Sequence, residues 1–127
     1  MPMKHKFEME YLINASLKVL FTRLSTPSGL SEWFADDVNL ENNILTFFWE
    51  KSQQQAEILF IKDNKAVRLK WLDDEDPKTY FEFRLNREEL TGDVSLTITD
   101  FARKDEIEDA RELWDTQINQ LKTLLGS

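Results

Sequence analysis

The side chains able to do chemistry are few in this sequence, and their spacing limits what they can do. His5 is the only histidine. A general base needs a partner and a pocket, and His5 stands near the N-terminus, where chains fray, with neither in sequence reach. One histidine and no cysteine exclude a multi-histidine or thiolate metal site, a disulfide and a cysteine nucleophile. Asp73-Asp74-Glu75-Asp76 is a run of carboxylates. An EF-hand calcium loop needs ligands at alternating positions and a glycine at the sixth, whereas here Pro77 ends the run. The run reads as a solvated hairpin loop, and Asp36-Asp37 as a turn and cap. Tyr11, Tyr80, Arg68 and Arg84 are the polar groups that could stand at a pocket mouth. Tyrosine suits that place because it joins a large apolar body to one hydrogen bond. Strict alternation turns Tyr80 and the two arginines toward water. No Gly-rich phosphate loop, G-x-S-x-G or H-E-x-x-H occurs. No catalytic residue, metal or cofactor is therefore expected.

The aromatic residues carry the stronger signal. Nine Phe, four Trp and two Tyr are many for 127 residues. Phe47, Trp49, Phe60, Trp71, Phe81, Phe83 and Trp114, with Ile118, are expected to converge on one interior. They would either line an apolar pocket, typically ~300–1,000 Å³ for a small ligand, or fill the space as a close-packed core. Trp33 and Phe34 stand just before an acidic pair. Three roles are open to them: gating the groove, facing a protein partner, or packing a short helix onto the sheet edge.

The elements that must position these residues follow from periodicity. His5 to Ile13 alternates, with Phe7, Met9, Tyr11 and Ile13 on one side, as in a half-buried strand. Asn14 and Ser16 offer N-cap chemistry for a helix through Leu24. Thr26 caps a second helix with Pro27 in its first turn, expected to carry Leu30, Trp33 and Phe34 and to end near Ala35. Short strands follow: Val38 to Glu41, Ile44 to Glu50, Gln55 to Lys62, a strand through Val67, Leu69 and Trp71, Thr79 to Leu85, and a last one through Val94, Leu96 and Ile98. Asn42-Asn43 suits a two-residue hairpin turn because asparagine tolerates positive φ. Ala56, Ile58 and Phe60 are assigned to the same dry face as Phe47 and Trp49, with Glu82 and Arg84 on the wet face. Lys104 to Leu125 repeats Ile107, Ala110, Trp114, Ile118, Leu121 and Leu125 at helical spacing, giving an amphipathic helix roughly 33 Å long. Such a helix must bury its stripe, and the dry face of the sheet is its natural seat. Strand, two short helices, six antiparallel strands and a long C-terminal helix across a bent sheet is an α+β arrangement.

Length fits one domain, 1–127. A net charge of −8 repels phosphate backbones, so nucleic acid is not an expected partner. No apolar stretch approaches the ~20 residues of a membrane span. No signal peptide is read in residues 1–13, which makes a cytoplasmic location the default expectation.

The order of elements, together with particular residues, resembles the START-like or SRPBCC superfamily, also called the helix-grip fold. It is most similar there to the Aha-type family, named for activators of the ninety-kilodalton heat-shock chaperone's ATPase. The stretch from Asn14 to Phe21 resembles that family's first strand running into a short helix. Leu30-Ser31-Glu32-Trp33-Phe34-Ala35-Asp36-Asp37-Val38 resembles its Trp-Phe segment, Thr91 to Asp100 its last strand, and Trp114 with Ile118, Leu121 and Leu125 its final helix. The chain departs from the pattern at Asn42-Asn43, where the family often has glycine, and at the acidic loop Asp73 to Asp76. The resemblance implies an apolar small molecule, lipid-like or aromatic, held between the long helix and the sheet. The alternative it admits is a co-chaperone-like protein-interaction module with a filled core, and, less readily, a cyclase-type enzyme.

Overall fold

Alternation makes β1 (Lys4–Ile13), which buries Phe7 and Ile13 and half-buries Met9 and Tyr11. The computed structural model describes residues 3–126. The Ser16 hydroxyl accepts from the Val19 N–H at 3.2 Å and starts α1 (Leu17–Ser25), whose Leu20, Phe21 and Leu24 face inward. Thr26 caps α2 (Pro27–Leu30) the same way through the Gly29 N–H, with Pro27 where a missing N–H costs nothing. The two helices approach closely here: a Cβ on Gly29 would lie 2.2 Å from the Thr22 carbonyl oxygen, so only glycine fits. The helix expected to reach Ala35 stops at Leu30. The N–H groups of Trp33, Phe34 and Ala35 all return to the Leu30 carbonyl, at 3.4, 2.9 and 3.3 Å, so the chain curls instead of propagating.

Six strands follow: β2 (Asp37–Glu41), β3 (Ile44–Trp49), β4 (Ser52–Lys62), β5 (Ala66–Trp71), β6 (Phe81–Arg87) and β7 (Val94–Arg103). With β1 they form one antiparallel sheet in the order β1-β7-β6-β5-β4-β3-β2. Asn42 and Asn43 join β2 to β3 at φ of 50° and 67°, the left-handed pair a twisted hairpin needs. The Asn43 side-chain amide also donates to the Ile58 carbonyl at 2.7 Å, tying the hairpin to β4.

β4 contains the main departure from strict alternation. Ile58 pairs with Leu69, but Phe60 pairs with Arg68, so Leu59 is an extra residue. A bulge of one residue inverts every later side chain. Phe60 was expected on the dry face; it lies on the outer one, with the Arg68 and Lys62 cations 5.0 and 5.2 Å from its ring centroid.

That outer face is not simply wet. Glu82 is buried beneath Arg68 and Arg84, which donate to its two oxygens at 2.8 and 3.1 Å. Burial pushes the Glu82 carboxyl up, but the bonds from Arg84 and Arg68 outweigh it and hold the group below its ordinary value. The Arg68 guanidinium also covers the Tyr80 ring at 3.9 Å.

After a 3₁₀ turn (Lys104–Glu106), α3 (Ile107–Leu125) lies across the inner face and ends on Gly126 at φ 73°. It buries Trp114, Ile118 and Leu121, each worth about 1.5–3 kcal/mol on the usual scale for large apolar groups. Tyr11 in β1 anchors it by donating to the Asp115 carboxylate at 2.7 Å. Burial first, then that carboxylate, pushes the phenol well above its ordinary range. A bent antiparallel sheet gripping one long helix is the α+β arrangement that the sequence predicts.

Candidate functional site

The space between α3 and the sheet is where the aromatic residues meet. Phe47, Phe81, Phe83, Trp114 and Ile118 are buried there, and Trp49 and Trp71 are half-buried at its margins. Phe60 is not among them. Trp33 and Phe34 are. The alternative of placing these two on a partner surface is corrected: their exposures are 5% and 4%. The early stop of α2 is the cause, because the tight curl after Leu30 swings both side chains under the sheet.

Phe34 occupies the centre. Seven rings stand within 6.5 Å of it: Phe47 at 5.0, Trp33 at 5.5, Trp114 at 5.9, Trp49 at 6.0, Phe81 at 6.1, Phe83 at 6.4 and Trp71 at 6.5 Å. The edge-on and stacked geometries among them are the favoured ones for aromatic pairs. Two indole N–H groups fix the segment from outside. Trp33 donates to the Arg23 carbonyl at 2.8 Å, and Trp49 to the Phe34 carbonyl at 3.1 Å. A solid ring cluster therefore stands where an interior ligand would lie.

On one border of this cluster the surface opens. A cleft of about 620 Å³ separates the Ser31–Asp36 segment from α3. Trp33, Phe34, Ala35 and Trp49 form one side, and Leu113, Thr116, Gln117 and Gln120 the other. Leu113 is 61% exposed, an apolar side chain on the solvent side of the rim. Glu32 forms an ion pair with Arg23. Among the described residues nothing pairs with the Asp36 carboxylate, although its N–H is held by the Phe48 carbonyl at 2.9 Å.

A second border is closed by polar groups. Trp114 donates through Nε1 to Asp100 Oδ2 at 2.9 Å, and the Phe101 N–H to Asp100 Oδ1 at 2.7 Å. Asp74 receives Lys4 at 2.9 Å and the buried Thr79 hydroxyl at 2.6 Å, while Lys70 donates to that hydroxyl at 2.7 Å. Lys70 also donates to the Asp76 carbonyl. Lys4, Asp74, Thr79, Asp100 and Phe101, with Trp71 and Tyr80, line a cavity of about 110 Å³. Burial pushes the Asp100 carboxyl up to about 6, against the bonds from Trp114 and Phe101. Burial would raise Asp74 too, but the bonds from Thr79 and Lys4 hold it at about 2. The acidic loop is thus partly structural, not a solvated hairpin throughout.

Sequence reasoning passed over the rim residues of α3 because they lie off the apolar stripe. Leu113, an apolar residue beside that stripe, is the one signal for them. It also passed over Asp100, although the alternation of Val94, Leu96 and Ile98 continues to it and so places a carboxylate in a dry-face position. Tyr11, Tyr80, Arg68 and Arg84 do not line the cleft. No group of three or more His, Cys, Asp or Glu among the described residues is placed to hold a metal ion. No helix among them is long and apolar enough to cross a membrane.

Known proteins share this fold. A family model described as a START-like superfamily domain matches residues 1–127. A Bacteroides fragilis protein, BfR322, solved in solution by NMR, is 44% identical; the match covers 98% of this chain and 92% of that one, at a TM-score of 0.70. The Aha1 dimer from Colwellia psychrerythraea is 18% identical over 95% of this chain and 96% of that one, with a TM-score of 0.78. DynU16, from the dynemicin biosynthetic locus, is 12% identical over 96% of this chain and 47% of that one, with a TM-score of 0.81. Among curated proteins, none matches.

Proposed function

Since the chain belongs to the START-like superfamily, we propose that it is a binding module whose working site is the cleft between the Ser31–Asp36 segment and α3. It takes an apolar, ring-bearing small molecule there. The superfamily includes proteins that bind small molecules or act in biosynthesis. The observation that carries the reading is the cleft itself: about 620 Å³, with Phe34 and Trp49 on one wall and polar Thr116, Gln117 and Gln120 on the other. That combination of aromatic wall and few polar groups is what small-molecule sites use. The interior is the less suitable place, because a ligand would have to displace Phe34 from seven neighbouring rings.

The test is a titration of ring-bearing compounds into the full chain, followed by NMR at the indole N–H signals. Binding in the cleft shifts Trp33 and Trp49 and leaves Trp114 unmoved. A panel that moves none of them, or that moves Trp114 most, defeats the reading.

The filled interior favours a second reading, a protein-interaction module that presents the same rim to a partner's side chain. Leu113 is the residue to change for this, since Trp33 is buried and its replacement disturbs the fold. If Leu113→Glu keeps the fold and still retains a partner fully, that second reading fails. We propose no catalytic step, as no paired acid and base faces the cleft.

A further inference from the structure

We propose that the cleft selects a positively charged, ring-bearing amphiphile, an aromatic or alicyclic amine, over the carboxylate of the same shape. The inference rests on the reading of this cleft as the binding site and adds the charge of its occupant.

The lining carries two carboxylates, Glu32 and Asp36, and no lysine, arginine or histidine. Glu32 is satisfied by Arg23, which stands outside the lining. Asp36 is exposed at the cleft wall with no ion-pair partner among the described residues, on the same lining as the Trp49 ring. An ammonium group on a ligand ring reaches a carboxylate and, if it turns inward, the half-exposed Trp49 ring, which also attracts cations. A ligand carboxylate meets like charge and finds no cation. The amides of Gln117 and Gln120 can satisfy either kind of head group, so they do not reverse the preference. The field of the whole chain, at net charge −8, adds in the same sense by concentrating cations and repelling anions. A fatty acid, with its anionic head, is by this argument a poor occupant.

Three probes of matched shape test the proposal on the full chain: naphthylmethylamine, naphthylmethanol and naphthoate. The readout is the Trp49 indole N–H shift at low ionic strength. The amine is expected to bind about tenfold more tightly than naphthoate, from one attraction gained and one repulsion avoided. The alcohol falls between them. Asp36→Asn keeps the backbone bond to Phe48 and should reduce the contrast to about twofold, the remainder coming from net charge. An unchanged Trp114 signal shows that this variant is folded. Naphthoate binding as well as the amine, or a contrast that survives Asp36→Asn, overturns the charge selection and leaves the cleft as the site. Silence from all three probes removes the cleft reading and the inference together.

Discussion

The aromatic cluster has two borders, and they are finished by different chemistry. Toward the cleft, the half-buried Trp49 ring comes to the surface beside Thr116, Gln117 and Gln120, with the buried Phe34 just behind it, and space is left over. Toward Asp100, the gap of about 110 Å³ is ringed by hydrogen-bonded groups from β1, the loop after β5, and β7. The first border is cheap to build, since exposed polar side chains satisfy themselves with water. The second requires every buried donor and acceptor to find a partner. Among the described residues no buried side-chain nitrogen or oxygen lacks one. A fold of this kind can therefore present a site where its packing stops short, while it closes the opposite demand with carboxylates.

The largest effect should come from the ring both borders depend on. Phe34→Ala removes a buried phenyl from among seven others and should cost about 3–5 kcal/mol in urea unfolding. A loss below about 1 kcal/mol would mean that the cluster is loosely filled, and the contrast between packed interior and open cleft would collapse.

The polar border should reveal itself through pH. Asp100 has a folded value raised to about 6, so its protonated form is the stabilising one. That contribution is complete below the ordinary carboxylate value and is lost as pH rises through about 6. Relative to Asp100→Asn, the wild-type chain should lose about 2–3 kcal/mol between pH 4 and pH 7. Parallel unfolding curves for the two proteins at both pH values would refute it. Asp74 behaves oppositely. Held at about 2, it stabilises above the ordinary value near 4 and loses that contribution as pH falls.

Smaller changes sharpen the contrast. Thr79→Val deletes a buried hydroxyl that donates to Asp74 and accepts from Lys70. It should cost about 1–2 kcal/mol at neutral pH, measured by thermal unfolding. On the open border, Leu113→Gln should change stability by less than about 0.5 kcal/mol, because an exposed rim side chain has little to lose. A penalty as large as that of Thr79→Val would show the rim to be packed after all.

Much of this was legible before any coordinates. Ser16 and Thr26 as caps, the Asn42-Asn43 turn, the alternating strands and the stripe on α3 all obey local rules that act within four residues. The misplacements have a common physical origin. Leu59 shifts register by one residue, and nothing between Ile58 and Val67 announces it, so alternation alone puts Phe60 on the wrong face. Whether α2 propagates past Leu30 depends on the close approach at Gly29 and on the rings waiting beneath, which are tertiary facts. The cleft depends on where α3 lies relative to residues 31–36, a distance no periodicity encodes. Asp100 was available to a stricter use of alternation, since a carboxylate in register with Leu96 and Ile98 must be either buried or at a sheet end.

The pairing of β1 with β7 sets how the molecule must come into being. Lys4 meets Arg103 and Ile13 meets Val94, contacts spanning most of the polypeptide. During synthesis, the first strand has no neighbour until the seventh has left the ribosome, and α3 has nothing complete to settle on before then. Closing so long a loop is slow relative to forming local hairpins. The nascent protein must therefore carry the apolar side of β1, Phe7 included, without its strand partner until β7 has emerged, and its vulnerability to aggregation is concentrated in that interval.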